Sequence, residues 1–304
     1  MTGKAYEQGD MFNFDLWRRI AKAVAEPSGA LEREVLSSTG TTVGRLMVVA
    51  TTSGAQRRTK SSFYVWMSVA CLFVAFGGFL PTYWLQLPRG TFIGPPLVHL
   101  HGMLFSGWIV FLFSQTVLAA RGQMQHHRAW GMAGVALASA MCVVGMAAAI
   151  HGLQEGLAAG YGDRARAFFI VPVNALILFA GFFIMAIVKI GEPEVHKRLI
   201  FLSTIVLLPA ALARVFFTLA NGSGPGMRPD LSPPVAVTFA LAPSLLLELL
   251  IVAGIAYDWR TRGRPHPVWL AGAAIITVVD LTIGPLSATP QWLAFANAMA
   301  HFTG

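Results

Sequence analysis

Phe168-Phe-Ile-Val-Pro-Val-Asn-Ala-Leu-Ile-Leu-Phe-Ala-Gly-Phe-Phe-Ile-Met-Ala-Ile-Val188 runs for 21 residues without an ionisable side chain. A helix needs about 20 such residues to cross the hydrocarbon core of a bilayer. This stretch is 168–189 in round terms, and six others qualify: 63–85, 97–120, 129–152, 199–220, 234–256 and 268–288. The composition agrees. Of 304 residues, 55% are hydrophobic and 12% charged, with a mean hydropathy of +0.62, whereas a soluble domain carries roughly a quarter charged residues. Too few charges remain to coat a water-facing surface, so much of the surface faces a lipid bilayer. The fold expected is all-α, a polytopic membrane bundle of seven transmembrane helices over residues 63–288. An N-terminal tail (1–62) precedes it and a short extracytoplasmic tail (289–304) follows.

An odd number of spans puts the termini on opposite sides, and the loop charges choose between them. One side carries Arg57, Arg58, Lys60, Arg121, Arg128, Lys189, Lys197, Arg198, Arg260, Arg262 and Arg264; the other has only Arg89, Arg164, Arg166 and Arg228. The positive-inside rule puts the first set in the cytoplasm, giving an N-in, C-out topology. Tyr83, Trp84 and Trp292 are then expected at the outer interface, and Trp66, Trp130, Trp259 and Trp269 at the inner one. The net charge of +8 sits in these loops, where it sets topology and gives no sign of a nucleic-acid partner. In the first tail, residues 11–24 read as an amphipathic helix on the membrane surface; the alternative is that translation starts at Met47. Cys71 and Cys142 lie inside apolar stretches with no CxxC spacing, so they mark neither a disulfide nor a cysteine metal site.

Three helices rise from the cytoplasmic side behind a basic, histidine-bearing turn: His126-His127-Arg128, His196-Lys197-Arg198 and Arg264-Pro265-His266-Pro267. His127, His196 and His266 are 69 and 70 residues apart. The pattern reads as three tandem helical hairpins plus one extra N-terminal helix. Any protein whose hairpins cross a membrane twice acquires a similar period, so spacing alone does not establish common descent.

Ionisable groups inside a membrane are costly, and they tend to be paired or functional. On the outer side, His99 and His101 open the second helix and His151 ends the third. His101 and His151 fall at similar depth, so together they are candidate axial ligands for a b-type haem or the start of a copper or zinc site. On the inner side, His127 and His196 form a second candidate pair. Attraction of those histidines, with Arg128, Lys197 and Arg198, to lipid phosphates explains the same residues. Deeper in the bundle, Arg214 and Asp280 are expected to pair. Glu248 stands among leucines, either protonated, hydrogen-bonded or facing His196 or His127. Arg214, Glu248 and Asp280 are the candidate intramembrane relay. Gln115 and Asn174 read as helix-to-helix hydrogen bonders. In the turn Tyr257–His266, Asp258 is expected to answer one of the local arginines.

Phosphate-cradling loops, dinucleotide fingerprints, GxSxG and HExxH are all absent, and no catalytic residue is assigned. No lysine lies mid-span in the seventh helix to hold retinal. Nor does that helix carry the spaced histidines of the adiponectin-receptor type.

The combination of Gly78-Phe-Leu-Pro-Thr-Tyr-Trp84, His99-Leu-His-Gly102, Trp108 with Gln115, His127-Arg128 with Gly131 and Gly134, His196-Lys-Arg-Leu199 and Asp258-Trp-Arg-Thr-Arg-Gly-Arg-Pro-His-Pro267 resembles an uncharacterised family of proteobacterial multi-pass, histidine-containing membrane proteins. The resemblance covers roughly residues 63–295 and implies a bacterial inner membrane. The histidine-opened helices are also similar to small bacterial membrane proteins implicated in maturing haem–copper oxidases. The leading functional expectation is a haem- or metal-binding protein of redox or respiratory-enzyme maturation, with haem b or copper as cofactor. Two alternatives stand beside it: a non-catalytic subunit or assembly partner of a membrane complex or homo-oligomer, and a proton- or ion-coupled small-molecule transporter.

Overall fold

The computed structural model describes residues 62–222 and 236–301. The chain divides into Met1–Thr59, which lies outside the described residues, and Lys60–Gly304, to which everything below refers. The expected interfacial helix at 11–24, the alternative start at Met47, Arg57, Arg58, Lys60 and Arg228 all fall outside the described residues.

The described residues form ten α-helices in order: α1 (Phe63–Phe79), α2 (Pro96–Ala120), α3 (Met124–Ala158), α4 (Asp163–Phe168), α5 (Ile170–Val188), α6 (Pro193–Ile205), α7 (Pro209–Asn221), α8 (Leu241–Arg262), α9 (Pro267–Ser287) and α10 (Pro290–Ala300). Among the described residues there is no strand. They build seven spans long and apolar enough to cross a membrane, with α4–α5 forming the fourth and α6–α7 the fifth. Lipid offers the backbone no hydrogen-bond partner, so a spanning segment must satisfy its own amides, and the helix does so. Five of the helices start on a proline (Pro96, Pro193, Pro209, Pro267 and Pro290). That position suits a residue with fixed φ and no N–H to leave unpaired.

Prolines inside spans reshape them. Pro81 converts the end of α1 into a π turn over Leu80–Trp84, closed by Leu85 N–H donating to the Leu80 carbonyl at 2.9 Å. The fifth span breaks where α6 stops at Ile205 and α7 restarts at Pro209. Proline there cannot donate to the preceding turn, and its ring crowds the carbonyl four residues back. The span expected over 199–220 is therefore built of two helices. The C-terminal tail is largely helical too: Thr289 accepts from Trp292 N–H to cap α10, and α10 packs on α4 and α3.

Consecutive spans pack as antiparallel pairs, α2 with α3, α5 with α6 and α8 with α9, while α1 lies between α2 and α7. This is the expected set of three hairpins and one added helix. The turns of all three hairpins gather at one end, called the basic end below. The core is aromatic in its middle layer. Trp108 sits edge-on to Phe179 and Phe183 (ring centres 5.3 and 5.5 Å apart) and donates to Thr204 Oγ1 at 3.1 Å, joining α2, α5 and α6. Where helices touch main chain to main chain, a glycine permits it. A Cβ at Gly78 would fall 2.3 Å from the Ala211 carbonyl of α7. The tryptophan belt needs one correction. Trp66, Trp130 and Trp259 are exposed, but Trp269 is fully buried, its indole filling the space above Gly254.

Candidate functional site

At the basic end, the turn that opens α6 meets the end of α8. Arg198 and Asp258 are both essentially inaccessible (1% and 0% exposed). The guanidinium grips the carboxylate through two bonds, Nε to Oδ2 at 2.9 Å and Nη2 to Oδ1. Its third edge, Nη1, donates to Glu194 Oε2 at 2.9 Å. Glu194 also accepts from Lys197 (2.7 Å) and from Arg262, and Lys197 Nζ rests 4.7 Å from the centre of the Tyr64 ring. The main-chain N–H of His266 donates to Asp258 Oδ2 at 3.3 Å, and its Nδ1 caps α9 by accepting from Val268 N–H. Burial, then the Arg198 and Arg262 charges, push the His266 imidazole below its ordinary range, against the opposing pull of Asp258 and Glu194.

This clamp ties α6, α8 and the start of α9 together. Asp258 was expected to answer an arginine of its own turn; it answers Arg198, sixty residues earlier in the chain. Arg198 is therefore spent inside the protein and is not a lipid-phosphate contact. Glu194 was missed in the sequence, although its spacing to Lys197 and Arg198 (i,i+3 and i,i+4) is the usual signal of helix-face ion pairing.

Beside the clamp, His127 in the first turn of α3 faces His196 in the first turn of α6. Their ring centres are 6.5 Å apart and the planes nearly perpendicular, at 86°. His196 Nδ1 lies 2.8 Å from the Ala186 carbonyl. A carbonyl only accepts, so Nδ1 carries the hydrogen and a neutral ring keeps its lone pair on Nε2. Tying one ring nitrogen to a carbonyl in this way is how a metal-ligating histidine is usually oriented. The His127 ring faces the Gln115 main chain, and its Nδ1 is buried with no hydrogen-bond partner among the described residues. Gln115 is 8% exposed, and neither its amide nitrogen nor its oxygen has a hydrogen-bond partner among the described residues.

The outer histidines do not assemble. His99 Nδ1 pairs with the Tyr83 hydroxyl at 3.0 Å, which places it against the π turn. His101 stacks on Phe105 with centres 4.1 Å apart, and the charge acting on it is that of Arg214. His151 Nε2 stands 3.5 Å from Glu155 on its own helix. No contact joins His101 to His151 among the described residues. Matched depth on neighbouring helices was insufficient, since it leaves the direction of a side chain about its helix axis open. No group of three or more His, Cys, Asp or Glu side chains among the described residues is placed to hold a metal.

The expected Arg214–Asp280 ion pair is likewise not made. Arg214 lies 4.9 Å from the centre of the Phe79 ring, while Asp280 accepts from the Ser244 hydroxyl. Glu248 meets neither His127 nor His196. Thr277 Oγ1 donates to it, 3.0 and 3.1 Å from its two oxygens. Each carboxylate is thus held by a hydroxyl across the α8–α9 interface, in line with the modest interhelical hydrogen bonds common in membrane bundles.

A seven-span membrane bundle with a histidine pair beside a buried ionic clamp is the class these features define. No family model, curated protein or solved structure matches the chain.

Proposed function

We propose that this chain is a metal- or haem-handling protein of a bacterial inner membrane, with His127 and His196 holding the metal centre at the cytoplasmic end of the bundle. The observation carrying the proposal is the pair itself: perpendicular rings 6.5 Å apart on facing helices, one of them already tied back to a carbonyl. With metal–nitrogen bonds of about 2 Å, a centre between two imidazoles sets the rings roughly 5–6 Å apart. The observed spacing needs only a small closure, which side-chain rotation supplies. Two protein ligands leave most of the coordination sphere open, which suits a centre that is received and passed on better than a closed structural site. Imidazole favours copper, zinc and iron, and the iron of a haem is served by the same two rings.

The test is a reduced-minus-oxidised absorption spectrum with elemental analysis, on protein purified from cells replete in haem, copper and zinc. A bound metal or haem in the wild type, lost in both His127→Ala and His196→Ala and kept in His101→Ala, is the expected result. Binding that survives both inner substitutions would refute the assignment.

A further inference from the structure

The unpartnered Gln115 amide adds to the histidine pair. Trp108 and Thr204 fix the register of α2 against α6 through their hydrogen bond. From Trp108, Gln115 lies two turns, about 10 Å, further towards the basic end and on the same face of α2. From Thr204, His196 lies about 12 Å in the same direction along α6. The amide and the two imidazoles therefore fall at about one level along the bundle, where the His127 ring faces both the Gln115 main chain and the His196 ring. Nearly every buried polar side chain has a partner. Here three atoms at one level lack one among the described residues: Gln115 Nε2, Gln115 Oε1 and His127 Nδ1.

We infer that Gln115 supplies the third donor of the site, its amide oxygen joining the two imidazoles around a free transition-metal ion of the copper or zinc type. This inference rests on the metal reading above and narrows it from any metal centre to a free ion. A haem iron takes two axial ligands from the protein and has no position for a third. A free ion of this class accepts two nitrogens and a carbonyl oxygen, keeping one position for water or a delivered ligand. The amide nitrogen is then left to donate to that fourth ligand, which accounts for the second unpaired atom.

The experiment titrates the detergent-purified full chain with Cu²⁺ alone against a chromophoric chelator and records the electron paramagnetic resonance spectrum of the complex. Wild-type protein is expected to show two imidazole nitrogens on the copper. Gln115→Leu is expected to keep both nitrogens and weaken binding about tenfold to a hundredfold, while Gln115→Glu, which retains the donor oxygen, restores it. Unchanged affinity in Gln115→Leu would overturn the inference and leave the histidine site standing. So would a purified protein that carries haem lost on His127→Ala. Copper binding indifferent to both histidines, in a protein without haem, would remove the site and the inference together.

Discussion

Asp258→Ala strands the Arg198 guanidinium. In the native bundle that side chain is 1% exposed and gives two of its donors, Nε and Nη2, to Asp258. Truncating the carboxylate leaves a buried cation without its main counter-charge and removes the acceptor of the His266 N–H. Breaking a buried pair from one side costs about 3–5 kcal/mol. Glu194 still holds Nη1, but it is half exposed and shared with Lys197 and Arg262, so it offsets little, and the expected loss is about 3 kcal/mol. Glu194→Gln removes an acceptor that water can replace and should cost about 1 kcal/mol or less. Replacing both partners with leucine should recover most of the Asp258→Ala loss, because two apolar side chains fill the space with no orphaned charge. The assay is unfolding in mixed micelles followed by a thiol-reactive fluorophore, since Cys71 is fully buried in the native bundle. If Asp258→Ala cost no more than Glu194→Gln, the clamp would be a surface ornament and the reasoning would fail.

Gly78→Ala should destabilise by about 1–3 kcal/mol, because its Cβ would meet the rigid Ala211 carbonyl at 2.3 Å. Gly181→Ala, with nothing within 4 Å, serves as the near-neutral control in the same unfolding assay. His266 predicts a pH dependence. Its imidazole resists protonation in the folded state, so below about 6.5, the ordinary value, the unfolded chain binds a proton that the folded chain does not. Stability should therefore fall as pH drops from 7.5 to 5.5, with no contribution from this group above that range. His266→Asn keeps a capping side chain and should flatten the slope; an identical slope in wild type and variant would exclude His266 as its source.

The bundle was legible in the sequence because spanning a bilayer is a one-dimensional demand: about 20 apolar residues, read directly from runs such as 168–188. Contacts between helices are a different kind of quantity. Matched depth brought His127 and His196 together and failed for His101 and His151, because depth fixes position along the helix axis and leaves the direction of the side chain about that axis open. The same gap accounts for Arg214 and Asp280, opposite charges that meet Phe79 on α1 and Ser244 on α8. Trp269 illustrates the converse. Its place as the third residue of α9 suited an interface, yet Gly254 opens a slot on α8 that the indole fills.

Among the described residues, what distinguishes the histidine level from the rest of the polar interior is that three unpartnered buried atoms fall on two neighbouring residues, Gln115 and His127, whereas Tyr64, Thr82, His101 and Trp269 each leave a single one. Glu248 and Asp280 sit deeper in the membrane, but each already has a hydroxyl, so their presence needs no ligand. Arg198 and Asp258 satisfy one another. The clamp has a consequence for its neighbours as well. It fixes the first turn of α6 from one side, and the bond from His196 to Ala186 fixes it from the other, so the His196 ring is held before any ligand arrives. His127, on α3, takes no part in the clamp, and its Nδ1 has no hydrogen-bond partner among the described residues. The His127 ring in turn meets the Gln115 main chain, so each imidazole of the pair is oriented by a backbone group of a neighbouring helix, which is the pre-organisation a binding site gains from its scaffold.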